Sequence, residues 1–153
     1  MAAGVDTLLL QLEHPDADRC RRSLARFAQL ERSPGLVETY RLTDLGLWNA
    51  KAAGLDPESV LDTIARHSNG SVPQTMANRI TETMDRFGPV TLEDDGDALV
   101  LRTDPPELLD ELLTDPELDD LVGRSCVAGT ATIEATARGR VKLALTRLRR
   151  PAD

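Results

Sequence analysis

The stretch VDTLLLQLEHPDADRCRRSLARFAQL, residues 5–30, changes its hydrophobic period halfway along. Before the His-Pro step, Leu8, Leu10 and Leu12 share one side of an extended chain, which predicts a strand with one buried face. After that step, apolar residues recur three or four positions apart with arginines off the stripe, which predicts a helix. The stripe consists of Ala17, Cys20, Leu24 and Phe27, and we expect the helix to end before residue 31.

The rest of the chain continues this mixture of strands and helices without a strict alternation. We predict a strand at 36–42, three short helices between 44 and 88, and a hairpin at 89–103. A helix and a further helical turn follow within 105–121, then a strand at 129–135 and a last helix capped by Thr136. The order β-α-β-α-α-α-β-β-α-β-α favours an α+β fold in which helices pack on a mixed β-sheet.

The length and composition indicate one globular domain. The chain has 153 residues, of which 41% are hydrophobic and 29% charged. We expect one domain over 1–153 with two parts, 1–88 and 89–153, that meet at Gly88–Pro89. Because no apolar run approaches the ~20 residues of a membrane span and no basic region precedes the first apolar run, we expect a cytoplasmic protein without membrane contact.

Charge is spread unevenly along the chain. The formal net charge of −8 argues against a strong nucleic-acid binder, since phosphate contact needs a basic face. Residues 93–120, however, hold twelve acidic side chains and one basic one, whereas residues 138–150 hold six basic side chains and no acid. Two interpretations stay open: solvated faces that attract each other, or a local basic strip that meets phosphate or an acidic partner.

The sequence lacks the common motifs of catalysis. It contains no GxxxxGK[ST], no GxGxxG after a strand and no GxSxG. Glu107, Asp110 and Glu111 share a helical face without a histidine, and Cys20 and Cys126 have neither metal-ligand spacing nor an expected disulfide. We therefore expect no catalytic residue, no metal site and no enzymatic activity for this chain.

A second stretch, TYRLTDLGLWNAKAAG (39–54), holds the only tyrosine and the only tryptophan. Alternation along the strand and helical spacing after it direct Tyr40 and Trp48 into one seam between the two elements. We interpret both rings as structural anchors, because each buries a large area and carries a polar tip that needs a partner. A stacking or ligand site is the alternative.

Several segments together resemble the N-terminal domain of bacterial XPB/Ssl2-type DNA repair helicases. The resemblance is strongest over residues 5–90 and looser in RGRVKLALTRLRRPAD, residues 138–153. The segments that carry it are TLLL, HPDA, FAQLERSP, TYRLT, LWNAKAAG, VPQ and TMDRFG.

The resemblance implies a defined biological setting. These helicases are superfamily 2 ATPases that move 3′ to 5′ on DNA in repair, including nucleotide excision repair. Their N-terminal domain is likened to damage-recognition modules, and in eukaryotic relatives it docks onto a transcription/repair-factor subunit. The ATPase motifs lie downstream of this domain and are absent from this chain, so ATP and Mg²⁺ are expected only for the motor domains. The chain resembles an excised N-terminal domain or a stand-alone relative.

The leading hypothesis is therefore a non-catalytic accessory domain that helps a helicase engage damaged DNA or dock a partner. Its partners would be DNA, the motor domains or a repair protein, and DNA binding would place it at the nucleoid. The alternative is a stand-alone protein-interaction module that uses an exposed sheet edge such as the 89–103 hairpin, and a third is an enzyme with an unrecognised site. The candidate DNA-contact residues are Arg138, Arg140, Lys142, Arg147 and Arg149.

Overall fold

The structure is a computed structural model that describes residues 1–96 and 98–153. It divides into two compact units, residues 1–85 and residues 86–153. The division falls between Asp85 and Arg86, three residues before the Gly88–Pro89 step that the sequence suggested.

The first unit is built on an antiparallel sheet of four strands. Its strands are β1 (Ala2–Ala3), β2 (Thr7–Gln11), β3 (Gln29–Arg32) and β4 (Val37–Arg41), in the order β1-β2-β4-β3. Leu8 lies opposite Tyr40 and Leu10 opposite Glu38, so these four side chains share the buried face.

Four helices cover that face. They are α1 (Ala17–Leu24), α2 (Asp44–Ala52), α3 (Pro57–His67) and α4 (Gln74–Asp85). The starts of α2 and α3 follow from capping, because Thr43 Oγ1 accepts the N–H of Gly46 at 3.0 Å and Asp56 Oδ1 accepts that of Ser59 at 2.7 Å. The largest fully buried side chains of this unit are Leu8, Leu24, Leu42, Leu47, Ile64, Met76, Ile80 and Met84, and Phe27 and Tyr40 belong to the same core.

The predicted length of the first helix was wrong. The helix ends at Leu24, and residues 29–32 form β3 instead of a last helical turn. Phe27 is buried in the core, and its N–H bonds to the carbonyl of Leu24 in a tight turn. The chain can then run along β4, where Gln29 pairs with Arg41 and covers an edge that would otherwise leave backbone groups unpaired.

The second unit has its own antiparallel sheet. Its strands are β5 (Val90–Asp94), β6 (Leu99–Thr103), β7 (Val122–Arg124) and β8 (Thr130–Ile133), in the order β5-β6-β8-β7. Helices α5 (Glu107–Leu112), α6 (Pro116–Leu121) and α7 (Arg138–Arg147) accompany it. The core includes Leu101, Leu108, Leu109, Leu112, Leu118, Ile133, Val141 and Leu145.

The outer edge of β5 is occupied by the last residues of the chain. The N–H of Asp153 donates to the carbonyl of Val90 at 2.9 Å, and the N–H of Leu92 donates to the carbonyl of Asp153 at 3.3 Å. Val90 and Ala152 form a parallel bridge. The expectation that the 89–103 hairpin offers a free edge to a partner is therefore wrong over residues 90–92.

The α+β class is confirmed, with a different sheet arrangement. The sequence suggested a mixed sheet, whereas every ladder between named strands in residues 1–96 and 98–153 is antiparallel. In the sequence, one group of strands precedes the three-helix segment and the other follows it, and each group forms its own sheet. Parallel neighbours would need longer crossover connections. Of the described helices, none is long and apolar enough to cross a membrane.

The cap predicted for the last helix was also wrong. Thr136 lies within a short 3₁₀ turn, Ala135–Ala137, that leads directly into α7. The residue at the N-cap position is Ala137, and its side chain forms no capping hydrogen bond. The 3₁₀ turn satisfies the carbonyl of Glu134 through the N–H of Ala137 at 2.9 Å.

Candidate functional site

Helix α7 divides the predicted basic strip between two sides. At about 100° per residue, Arg138 and Lys142 lie one turn apart on one flank, and Arg140 and Arg147 lie two turns apart on the opposite flank. All four side chains are exposed. The remaining side of the helix faces the core through Val141, Ala144 and Leu145.

Arg147 is held by acids of the neighbouring helix. Its Nη1 lies 2.6 Å from Glu117 Oε2, and its Nη2 lies 2.8 Å from Asp115 Oδ2. Asp115 also caps α6, because its Oδ1 accepts the N–H of Leu118 at 3.1 Å. For this arginine, the structure matches the interpretation in which the acidic and basic segments attract each other.

The other three helical cations have a different environment. In the described ranges 1–96 and 98–153, no acid lies within ion-pair distance of Arg138, Arg140 or Lys142. Arg140 lines an open cavity of about 660 Å³ together with Asp120 and Glu134, so acidic groups face the same space. Arg138 and Lys142 are consequently the cations of α7 best placed to meet an external anion.

Arg149 does not continue the line of the helix. It follows the end of α7 with a φ of 56°, and its carbonyl accepts a 3.4 Å hydrogen bond from Arg86 Nη1. Because the backbone turns out of the helix at this residue, the Arg149 side chain does not lie on the same helical face as Arg138 and Lys142.

The exposed side of α7 also carries an apolar residue between the two basic flanks. Leu143 is 71% exposed, and Gly139 lies one turn before it on the same side. A Cβ on Gly139 would meet nothing within 4 Å, so the space in front of this turn is open. Neither residue was predicted as a site from the sequence.

A second group of arginines was also missed as a candidate. Arg19, Arg22 and Arg26 are exposed along α1 and the turn after it, and no acid in the described part of the chain forms an ion pair with them. Their spacing of three and four residues, opposite the buried stripe of the same helix, was visible in the sequence.

Glu38 is buried in the first unit and is the centre of a hydrogen-bonded group with Tyr40 and Arg21. The Tyr40 hydroxyl donates a 2.7 Å hydrogen bond to Glu38 Oε2, and Arg21 donates to both carboxylate oxygens of Glu38 at 3.1 and 2.7 Å. The hydrogen bond from Arg21 holds the pKa of Glu38 below its usual value, ahead of the opposing effect of burial. Burial, and then the hydrogen bond to Glu38, raise the pKa of Tyr40 to about 12.

Trp48 finds its polar partner away from the strand that precedes it. The indole is buried, and its Nε1 donates a 2.8 Å hydrogen bond to the carbonyl of Thr83 near the end of α4. The tryptophan therefore fixes α2 against α4, whereas the seam expected from the sequence lay between α2 and β4. Tyr40 and Trp48 are thus both buried but have different polar partners, Glu38 on β4 for the tyrosine and the carbonyl of Thr83 on α4 for the tryptophan.

The described residues offer no built metal centre. Across residues 1–96 and 98–153, no three histidine, cysteine, aspartate or glutamate side chains gather closely enough to hold a metal ion. Cys20 is buried, Cys126 is exposed, and both are free thiols.

The sequence of this chain matches a known protein family and several of its members. Residues 5–126 match the family described as "Helicase conserved C-terminal domain". The DNA 3′-5′ helicase XPB of Kineococcus radiotolerans is 43% identical over 148 residues, and that of Mycobacterium tuberculosis is 37% identical over 148 residues. Each match covers 96% of this chain and 27% of the relative.

A more distant similarity reaches a eukaryotic protein. The "General transcription and DNA repair factor IIH helicase/translocase subunit XPB" of Antonospora locustae is 26% identical over 114 residues, which is 74% of this chain and 17% of the relative. The chain thus spans about a quarter or less of the relatives that it matches. The description of the matching family names a C-terminal domain, whereas the motifs within residues 5–90 resemble an N-terminal domain.

Proposed function

The chain belongs to the family of the helicase conserved C-terminal domain and is homologous to bacterial XPB helicases, and from this premise we propose that it is an N-terminal accessory domain. It would serve a 3′-5′ DNA repair helicase in the cytoplasm, at the nucleoid, by contacting DNA and positioning the motor on it. In this role the chain itself performs no catalysis. ATP and Mg²⁺ belong to the motor domains.

The observation that carries DNA contact is the flank of α7 formed by Arg138 and Lys142. The two side chains are neighbours on the helix surface, about 5–6 Å apart at their Cβ atoms. They are exposed, and among residues 1–96 and 98–153 neither is neutralised by an ion pair. A phosphate backbone attracts such a pair without any rearrangement of the protein.

The net charge of −8 opposes binding but does not remove this flank. Acids in the dense segment 93–120 are partly engaged, since Glu93 pairs with Arg102 and two others pair with Arg147. Binding is therefore expected to be weak, because the remaining acids repel phosphates, and to weaken further as salt rises, because each phosphate contact releases counterions.

A salt titration tests the proposal directly. We expect fluorescence anisotropy to show binding to duplex, forked and mismatched DNA at low salt, weakening as salt rises. The variant Arg138→Ala/Lys142→Ala removes two phosphate contacts and is expected to reduce the slope of log K against log salt by about 1–2.

A charge-matched control separates local contact from general charge. The variant Arg66→Ala/Arg102→Ala removes the same number of charges from arginines that pair with Asp62 and Glu93. We expect it to bind as the unaltered protein does, apart from a uniform small loss. Absence of binding at low salt, or equal effects of the two double variants, would reject phosphate contact by α7.

The lack of catalysis in this chain is tested separately. The 153-residue protein is expected to release no phosphate from ATP above the blank, with or without DNA and Mg²⁺. Turnover that survives repeated purification and follows the protein peak would contradict this part of the proposal.

A second candidate function, docking of a protein partner, is favoured by a groove between α3 and α4. Its volume is about 600 Å³, its apolar lining includes Leu61 and Val72, and acids stand along the α3 side. The acids are Asp56, Glu58 and Asp62. Such a groove fits an apolar side chain flanked by lysine or arginine, from the motor domains or from a repair protein.

The two functions are separable by one substitution in the groove. Ala77→Arg fills the groove from α4 and leaves α7 untouched. If a partner docks in the groove, this variant is expected to lose binding to purified helicase motor domains and to keep DNA binding. If both persist, the docking function is rejected at this site.

A further inference from the structure

Leu143 is the most exposed large apolar residue in the described part of the chain. Its side chain is 71% exposed, compared with 62% for Val5 and Leu45, the next values. A single exposed leucine needs no explanation by itself. The position of this one is what matters, because it stands between the flank of Arg138 and Lys142 and the flank of Arg140.

The glycine one turn earlier makes Leu143 prominent. Long side chains on a helix lean toward its N-terminus, so Leu143 lies over the turn that contains Gly139. Gly139 has no side chain to shield it, and the space in front of this position is empty within 4 Å. Neither packing nor a positive φ requires glycine here, although glycine destabilises a helix relative to alanine.

The arrangement matches what a protein needs to enter a distorted duplex. Proteins that kink or unstack DNA insert an apolar side chain between bases while cations beside it hold the phosphates. Unstacking is least unfavourable where a pair is mismatched, damaged or already open. A wedge therefore favours distorted over regular DNA, whereas the cations beside it bind both.

We propose that Leu143 is an apolar wedge that inserts at an unstacked base step or strand junction, with Gly139 admitting the DNA close to the helix. Arg138 and Lys142 hold phosphates beside the wedge. The inference rests on the proposed function, because it assigns to the same DNA-contacting helix the residue that selects distorted sites.

The test compares one DNA sequence in three forms: a regular duplex, the same duplex with a central mismatch, and a fork. Fluorescence anisotropy at fixed low salt gives the ratio of distorted-DNA to duplex affinity for each protein. For Leu143→Ala we expect this ratio to fall by about tenfold, in line with the loss of one buried leucine contact. The affinity for regular duplex changes by less than about twofold, since phosphate contacts remain.

A matched control removes an equally accessible leucine elsewhere. Leu45 on α2 is 62% exposed, and Leu45→Ala is expected to leave both affinities unchanged. A 2-aminopurine base at the mismatch supplies a second readout. Its fluorescence is expected to rise when the unaltered protein binds and unstacks it, and to stay low with Leu143→Ala.

Gly139 is tested by filling the open space. Gly139→Gln is expected to weaken binding of mismatched and forked DNA, while circular dichroism shows the helix retained and the melting temperature unchanged or raised. Equal affinity of this variant for distorted DNA would show that DNA does not approach the helix at this turn.

The outcomes separate the wedge from the underlying function. If the protein binds DNA with the expected salt dependence but Leu143→Ala keeps the same ratio, the wedge is rejected and phosphate contact stands. A ratio of one for the unaltered protein also rejects the wedge. If none of the three DNA forms binds at low salt, both the wedge and the proposed function fall.

Discussion

Arg147 Nη2 lies 2.8 Å from Asp115 Oδ2, and the same aspartate accepts the N–H of Leu118 in the first turn of α6. The pair therefore joins the last turn of α7 to the first turn of α6. Arg147 has a structural partner, whereas Arg138 and Lys142 on the other flank have none in residues 1–96 and 98–153.

Arg147→Ala is accordingly expected to affect stability more than DNA binding. Removal of two exposed ion pairs should lower the free energy of unfolding by about 0.5–2 kcal/mol, measured by urea denaturation. Its salt slope for DNA is expected to match that of the unaltered protein. A loss of slope as large as that of Arg138→Ala/Lys142→Ala would place Arg147 in the DNA contact.

The group of Arg21, Glu38 and Tyr40 predicts a loss of stability in acid. Because the pKa of Glu38 is lower in the folded than in the unfolded state, its stabilisation is present above the unfolded value and lost as pH falls through the folded value. Arg21→Ala removes two hydrogen bonds to the carboxylate of Glu38 and is expected to lower the free energy of unfolding at pH 7.

The loss of unfolding free energy caused by Arg21→Ala is expected to shrink below pH 4, where the Glu38 carboxyl of the unfolded chain is protonated. Unfolding curves at several pH values measure this loss. Arg22→Ala is the matched control, since Arg22 lies on the same helix and forms no ion pair within the described residues. A pH-independent difference between the two variants would contradict the role given to Glu38.

Tyr40 predicts a second pH effect with the opposite sign. Its pKa of about 12 in the folded state exceeds the ordinary value of 10, so the unfolded chain loses this proton first as pH rises. Stability is expected to fall between about pH 10 and 12, and Tyr40→Phe should remove that dependence. Ultraviolet absorbance of the phenolate follows it, because this is the only tyrosine.

Thr83 offers a stabilising substitution. Its carbonyl accepts the hydrogen bond from Trp48, but its hydroxyl is buried and finds no partner among the described residues. Thr83→Val replaces that hydroxyl by a methyl group of similar size and is expected to raise the free energy of unfolding by about 0.5–2 kcal/mol. A thermal melt is the measurement, with Thr81→Val at an exposed site of the same helix as the control.

The sequence was sufficient where a local period decides the structure. Alternation from Leu8 to Leu12 predicted β2, and the caps at Thr43 and Asp56 predicted the starts of α2 and α3. The end of α1 was not predicted, because residues 25–30 carry an apolar pattern that suits a helix. Pairing of β3 with β4 overrides it, and such pairing depends on residues distant in the chain.

The same limit applies to the candidate site. The run of bases at 138–150 was visible, but only the direction of each side chain on α7 shows that Arg147 meets acids while Lys142 does not. The group around Glu38 was missed because Arg21 and Glu38 lie 17 residues apart, and no local pattern predicts their contact. Helical spacing leaves Leu143 off the predicted core stripe of its helix, but a single exposed leucine is ordinary and suggested no function.

The separate anchoring of Tyr40 and Trp48 has a practical consequence. Both rings belong to residues 1–85, and the second unit contains neither tyrosine nor tryptophan. Indole emission therefore reports the melting of the first unit alone, while far-ultraviolet circular dichroism reports helices of both. Comparing the two in one sample would reveal whether the units unfold together or in sequence, without attaching any dye.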